Sequence, residues 1–293
     1  MLLVAVVTAL LNLDTSVAFL TPVLVTVARI RHSAEERFLY GCVFMSNAAS
    51  LLLPGSNLTN LLIIPHQHLR GSAFFARMLL PWMAAIVVTT VVLAIAFRSS
   101  TSESASLAIH RPSLAPLSIT ATLIAVVLVL LLDEAALPVL AAALVLVLAR
   151  LGQRRLTVRQ LRGGVDVVSL AGVFLIAVAL GTLARTWSFP SDLMHHSGRI
   201  TTALIAALAS VLVNNLPAAV LLGSGSPAHP QALLFGLNIG PNLAVSGSLS
   251  ALIWWQAARS VGARPSALRY SAIGIVLVPL TLAAVLLVSG SPN

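Results

Sequence analysis

The stretch LLLPGSNLTNLLI, residues 51–63, puts Pro54, Gly55, Ser56, Asn57, Thr59 and Asn60 in the middle of an apolar run, residues 38–64, that is long enough to cross a membrane. In lipid, a backbone N–H or C=O without a partner costs several kcal/mol, so a helix broken at that depth must meet polar protein or line a wet cavity. Pro54 lacks the N–H that would continue the helix, and Gly55 loosens the backbone beside it. Ser56, Asn57, Thr59 and Asn60 then offer hydroxyl and amide groups to whatever lies opposite.

The rest of the chain places this break in a wider pattern. Of 293 residues, 58% are hydrophobic and 9% charged, and apolar blocks recur along the whole length, so the chain reads as an all-α polytopic membrane protein with the lipid bilayer as its first partner. The net charge of +9 comes from 17 arginines and no lysine, set in short clusters between apolar blocks. That is loop charge, which orients a membrane protein, and no nucleic-acid partner is expected. The single cysteine, Cys42, excludes a disulfide framework and a multi-thiolate metal site. The first residues are apolar, with no basic leader and no small-residue cleavage pattern, so no signal peptide is expected.

Uninterrupted spans are expected at residues 79–97, 166–184 and 270–288. Residues 117–149 as one helix would be roughly 50 Å long, too long for one crossing. Two short spans turning at Asp133, Glu134 and Pro138 are expected instead. Residues 1–28 hold Asn12, Asp14 and Thr15 between two arms of about 11 to 13 residues, each rising about 17 to 20 Å against a hydrocarbon core of about 30 Å. Such arms predict a re-entrant hairpin. Residues 200–223 repeat it, with Asn214, Asn215 and Pro217 at the turn. Residues 38–64 and 231–256 are long enough to cross with an unwound middle, the second middle being NIGPNLAVSGSLSAL, residues 238–252.

Hairpin followed by broken helix therefore occurs twice. GSNLTNL from Gly55 aligns with GSLSAL from Gly247, and LLNLDTSVAFL resembles LVNNLPAAVLL. Five crossings between the hairpins would put them on opposite faces, an inverted repeat made of residues 1–98 and 117–293 with a Ser-rich cytoplasmic linker at 99–116. Arg29, Arg31, Arg37, Arg98, Arg111, Arg150, Arg154, Arg155, Arg159, Arg162, Arg259, Arg264 and Arg269 then share one side, and Arg70, Arg77, Arg185 and Arg199 the other. Thirteen against four places the base of the first hairpin in the cytoplasm, whereas a single crossing by 117–149 would split the arginines ten against seven. The first repeat lacks three crossings that precede the second hairpin. Two explanations stay open: a truncated or mis-started chain, and another subunit that supplies them.

Opposed half-helix ends carry roughly half a unit charge each and can hold an ion or small polar solute without many charged side chains. The expected contacts are Asn12, Asp14 and Thr15 of the first hairpin, and Ser56, Asn57, Thr59 and Asn60 of the first break. Asn214 and Asn215 of the second hairpin, with Asn238, Asn242, Ser246 and Ser248 of the second break, complete the set. Polar residues that only glue helices together are the structural alternative. Asp14 is the one carboxylate expected near the bilayer centre, where a charge is costly enough to point to function. It either couples transport to H⁺, or alternatively Na⁺, or caps the second hairpin arm by accepting from the amides after Thr15.

His66 and His68 are expected in one loop, His195 and His196 in another, and His32, His110 and His229 in others; no spacing matches a zinc site, so no metal or cofactor is expected. No histidine falls in an expected span to activate a serine such as Ser224 or Ser226, which argues against an enzyme.

LNLDTSVAFLTPVLV, SNAASLLLPGSNLTNLL, VNNLPAAVLL and NIGPNLAVSGSLSALIWW resemble, in order, the hairpins and broken helices of the arsenical pump membrane protein branch of the ion transporter superfamily. Leu13 stands where that branch usually has a second asparagine. The resemblance implies efflux of arsenite or antimonite by elevator-like motion, driven by proton antiport or by a soluble arsenite-stimulated ATPase, and allows a homodimer. Arsenous acid is mostly neutral at pH 7 and presents hydroxyl groups that Asn, Ser and Thr bind. One cysteine cannot build a trithiolate cage, so the cargo is expected to be a small inorganic oxyacid or anion held weakly. A Na⁺/H⁺ antiporter or Na⁺-coupled carboxylate transporter of the same superfamily is the first rival, and a non-transporting membrane fragment or subunit the second.

Overall fold

The computed structural model describes residues 1–64, 70–98, 136–153, 178–183 and 186–290, with a few single positions between 124 and 175. The linker 99–116, the turn at Asp133 and Glu134, most of 166–184, and His66, His68 and His110 lie outside the described residues. No strand occurs among the described residues. Among the described residues three helices are long and apolar enough to cross a membrane, Leu13–Ile30, Gly71–Ala96 and Ala267–Val288.

The first hairpin is Leu2–Leu11 (α1) and Leu13–Ile30 (α2), hinged at Asn12. Its second arm has 18 residues, longer than the expected arm, because it starts directly after its cap Asn12 and runs on past Arg29, whose guanidinium is anchored by Glu35 at 2.7 Å. The first broken helix is Glu35–Ala49 (α3), a 3-10 turn at Pro54–Ser56, and Leu58–Ile63 (α4). Gly71–Ala96 (α5) begins eight residues before the expected span, taking Arg77 into its second turn at the end of the helix, where a charged head still reaches water.

Ala136–Gly152 (α6) follows. Pro138 is not at a turn between two spans, as the sequence led us to expect, but in the first turn of α6, where the missing N–H leaves no helical bond unmade. Phe189–His196 (α7) corrects a second expectation, since His195 and His196 sit on a helix rather than in a loop. Pro190 near its start, Asp192 in its first turn and the two histidines in its last are the residues a short helix wants at those places. The second hairpin is Arg199–Val213 (α8) and Asn215–Gly223 (α9), and the second broken helix is Pro230–Ile239 (α10), 3-10 turns at Gly240–Leu243 and Val245–Gly247, and Leu249–Ser260 (α11). Ala267–Val288 (α12) closes the described chain.

Contacts at the two ends fix the directions of these elements. At one end Arg29 also donates to Val261 O at 2.6 Å, Arg37 donates to Phe97 O at 2.9 Å, and Arg269 pairs with Glu36. This end therefore gathers the end of α2, the start of α3, the ends of α5 and α11, and the start of α12. At the other end Arg199 donates to Leu286 O at 2.5 Å and Gln231 to Arg77 O at 3.5 Å, gathering the starts of α5, α8 and α10 with the end of α12. The hairpins thus open toward opposite ends, and the broken helices run in opposite directions.

Two kinds of packing hold this together. At the first end Tyr40, Phe44, Phe97, Trp254 and Tyr270 form an aromatic cluster with centroids 4.6 to 6.3 Å apart, and Trp254 Nε1 donates to Leu39 O at 2.9 Å. Between α8 and α10 the contact is made by small residues. A Cβ on Gly236 would lie 2.3 Å from Ala203 O, and one on Gly240 2.5 Å from Ala207 Cα, so the pair Gly236 and Gly240, four residues apart, lets two backbones approach as in a small-residue membrane interface. Gly274 of α12 admits the second break in the same way, its missing Cβ being 1.9 Å from Asn242 O.

Candidate functional site

Both hairpin tips carry the same backbone feature. Asn12 has φ 104° and ψ 158°, and Asn214 φ 77° and ψ 150°, a region that costs a non-glycine residue about 1–3 kcal/mol. Each side chain caps the following arm, Asn12 Oδ1 accepting from Thr15 N–H at 3.1 Å and Asn214 Oδ1 from Leu216 N–H at 3.4 Å. The cap of α2 is therefore Asn12, and the capping role weighed for Asp14 is overturned: Asp14 sits in the first turn, where a carboxylate suits the helix dipole, and its bond goes elsewhere.

The breaks match as well. Asn57 (φ −150°, ψ 141°) caps α4 by accepting from Thr59 N–H at 3.2 Å, and Ser248 (φ −150°, ψ 153°) caps α11 by accepting from Ala251 N–H at 3.1 Å. Aligned on these caps, Asn47 corresponds to Asn238 and Thr59 to Ser250.

Carbonyls freed by the breaks are met by side chains. Asn60 Nδ2 donates to Ser50 O at 2.8 Å and Leu53 O at 3.0 Å, and Trp82 Nε1 to Ala49 O at 3.1 Å. In the second break Tyr270 OH donates to Pro241 O at 3.1 Å and Asn214 Nδ2 to Ser246 O at 3.2 Å. Ser56 Oγ ties the first break to the first hairpin through Ala9 O at 3.2 Å, and Ser246 Oγ ties the second to Val211 O at 3.5 Å. These contacts are what lets non-helical chain persist at membrane depth.

At the centre the two breaks are joined directly. Asn238 Oδ1 accepts from Asn57 Nδ2 at 2.7 Å and from Ser50 Oγ at 2.8 Å, while Asn238 Nδ2 donates to Asn60 Oδ1 at 3.0 Å. Asn47 Nδ2 donates to Asn242 Oδ1 at 2.7 Å. All six side chains are buried, and two buried polar atoms beside them, Asn47 Oδ1 and Thr59 Oγ1, have no partner among the described residues.

The remaining expected residues lie outside this central set. Asp14 is half-buried and accepts from Ser250 Oγ of α11 at 2.5 Å, joining the tip of the first hairpin to the second broken helix. The arms cross over: α2 packs on α11, and α9 on α4. The counterpart of Asp14 and Ser250 is thus Leu216 and Thr59, which explains why the Thr59 hydroxyl lacks the partner that Ser250 has. Asn215 is buried at the start of α9 without a side-chain hydrogen bond among the described residues, and Thr15 is exposed. Ser50, Asn47 and Ser250 were missed as site residues. Asn47 and Ser50 lie in SNAAS, whose alignment with the second break offered the available signal; Ser250 lies in GSLSAL, but its partner is remote in sequence.

Among the described residues no arginine reaches the breaks; the cations stand at the two ends. Cys42 is buried on α3, accepting from Thr21 Oγ1 at 3.5 Å.

Comparison with known proteins places the chain among membrane transporters. The "Arsenical pump membrane protein" of Escherichia coli is 29% identical over 291 residues, covering 86% of this chain and 67% of the relative. Proteins of that name from Escherichia coli strain K12 and Shigella flexneri are each 28% identical with the same coverage. A family profile described as "Citrate transporter" (CitMHS) matches residues 1–241. Apolar spans interrupted by paired, inward-facing breaks, together with a match over most of the length, make this chain a multi-pass secondary membrane transporter that belongs to the citrate transporter family, within the ion transporter superfamily.

Proposed function

We propose that the protein is an efflux carrier for arsenite and antimonite, bound as neutral hydroxylated acids between the two breaks and exchanged for protons through Asp14. The observation that carries this reading is the composition of the central set: amides and hydroxyls of Ser50, Asn57, Asn60 and Asn238, with no basic side chain among the described residues there. A solute with several hydroxyl groups can exchange these hydrogen bonds one for one, since hydroxyls donate and accept as amides do. Asn47 Oδ1 and Thr59 Oγ1 are further polar atoms open to it. A citrate-sized anion would enter the same place without a cation to balance its charge, although half-helix N-termini would favour it in part. The name of the matching family keeps the Na⁺-coupled carboxylate reading as the alternative. In this proposal the arginine-rich end that holds Arg29, Arg37 and Arg269 faces the cytoplasm across the inner membrane, and a soluble ATPase or a second copy is an optional partner.

The test is growth of a pump-deficient host on arsenite, with Na⁺ and citrate challenges beside it. The carrier should restore arsenite resistance and leave Na⁺ tolerance and citrate use unchanged. Asn57→Ala and Asn215→Ala should each raise the arsenite concentration for half-maximal uptake, by about tenfold for Asn57 where a buried hydrogen bond of about 1.4 kcal/mol is removed. Resistance to Na⁺ or growth on citrate without arsenite resistance would replace the cargo; half-maximal concentrations unchanged from wild type in both variants would move the site.

A further inference from the structure

A second place in the molecule has the opposite chemistry. At the end where α5, α8 and α10 begin and α12 finishes lies a cavity of about 530 Å³, lined among others by Arg77, Arg199, His229, Gln231 and Ser289. Two arginines from different helices line it, and no carboxylate does among the described residues. Arg199 is fixed by its bonds to Leu286 O, at 2.5 Å, and to Ser289 Oγ, so one donor edge is held in place. Arg77 is exposed and makes no ion pair or hydrogen bond through its guanidinium among the described residues. The third contribution comes from the backbone. Pro230 and Gln231 begin α10 at the cavity wall, and the helix has no side-chain cap, leaving the first-turn N–H groups of Gln231 and Ala232 without one.

We propose that this cavity binds a small oxyanion, a phosphate-type or carboxylate group, between Arg77, Arg199 and the first turn of α10. Guanidinium forks take such groups bidentately, and the positive end of a ten-residue helix adds to them. The volume suits a solute up to the size of a tricarboxylate. The site is separate from the amide set between the breaks: Asn238 lies about 12 Å further along α10, at 1.5 Å per residue. Anions are thereby held at the mouth of a carrier whose centre carries no cation among the described residues, so the inference stands whichever cargo the centre takes. The same chemistry fits a soluble anion and the phosphate of a lipid headgroup, and the test separates the two.

The whole chain in phosphatidylcholine nanodiscs is titrated with radiolabelled phosphate and, separately, citrate at low salt, and lipid retained from phosphatidylglycerol-containing discs is measured in parallel. Saturable binding of either soluble anion, weakened about tenfold by Arg77→Gln and weakened again by added NaCl, is expected for a soluble ligand. Retention of phosphatidylglycerol that Arg77→Gln abolishes, with no soluble anion bound, assigns the same pocket to a lipid headgroup. Arg199→Gln is read with its melting temperature, because Arg199 also holds the end of α12. Asn57→Ala should bind anions as the wild type does, which distinguishes failure of this site from failure of the central one. No binding from either source, or binding that Arg77→Gln leaves at wild-type strength, overturns the proposal.

Discussion

Everted vesicles carrying Asp14→Asn should take up no arsenite in response to a proton gradient, while the variant inserts in the membrane in wild-type amount. The substitution keeps the shape of the side chain and an oxygen that can accept from Ser250 Oγ, now 2.5 Å from the carboxylate. It does not remove the cap of α2, which is Asn12. What it removes is the ionisable proton, at the one position of the crossed arms where a carboxylate stands; the counterpart is Leu216, which cannot substitute for it. Loss of coupling should therefore be complete while the cost in stability stays within about 1 kcal/mol, as for a near-isosteric exchange. The measurement is uptake of labelled arsenite with and without an imposed gradient, beside a blot for membrane-inserted protein. Gradient-driven uptake at the wild-type rate would remove Asp14 from the mechanism.

Asn238→Ala should have the largest structural effect of any single change between the breaks. It strands the buried Asn60 carbonyl, which loses its donor, and leaves the Asn57 amide with only its 3.4 Å bond to Ser50 Oγ, while the Ser50 hydroxyl falls back on Asn47 O at 2.8 Å. A buried polar group left unpaired costs about 1–3 kcal/mol, so with one group stranded and a second weakened the loss should be about 2–4 kcal/mol, with transport abolished. Asn242→Ala is the control, since it strands one donor, Asn47 Nδ2, and should cost about 1–3 kcal/mol. Thermal unfolding of the detergent-purified variants gives the comparison. Equal melting temperatures for the two would show that the breaks are not held together through Asn238.

The two breaks and the two hairpin tips were legible because each needs residues that an uninterrupted membrane helix avoids. Pro54 with Gly55, and Pro241 with Gly247, mark the unwound middles, and Asn12 and Asn214 mark the tips. Helix ends were less so: α5 and α2 both run past the charged residues at which an apolar window stops, because Arg77 and Arg29 find water or an acid at the end of the molecule. The identity of the cap of α2 was not legible either. Asn12 and Asp14 are both good capping residues, and only the backbone at Asn12 decides between them. Ser50, Asn47 and Ser250 gain their meaning from partners 188, 195 and 236 residues away, a relation that spacing along one segment does not carry. The anion cavity is of the same kind, assembled from Arg77, Arg199 and the start of α10 by the antiparallel run of α5 and α12.

The asymmetry between the arms bears on how such a carrier would work. Two equivalent hairpins deliver one carboxylate, at Asp14 beside Ser250, and one leucine, at Leu216, on the side where the Thr59 hydroxyl of the first broken helix has no partner among the described residues. A neutral cargo exchanged for a single coupling ion needs no more than that.

The most direct measurement is a cryo-EM map of the protein with bound antimonite, whose heavy atom scatters strongly enough to be located among light neighbours. The account predicts density between the breaks, within hydrogen-bonding reach of Asn57, Asn60 and Asn238, and its loss in Asn57→Ala. Density at the arginine-lined mouth instead, or α3 and α4 running on as one helix facing lipid, would contradict it.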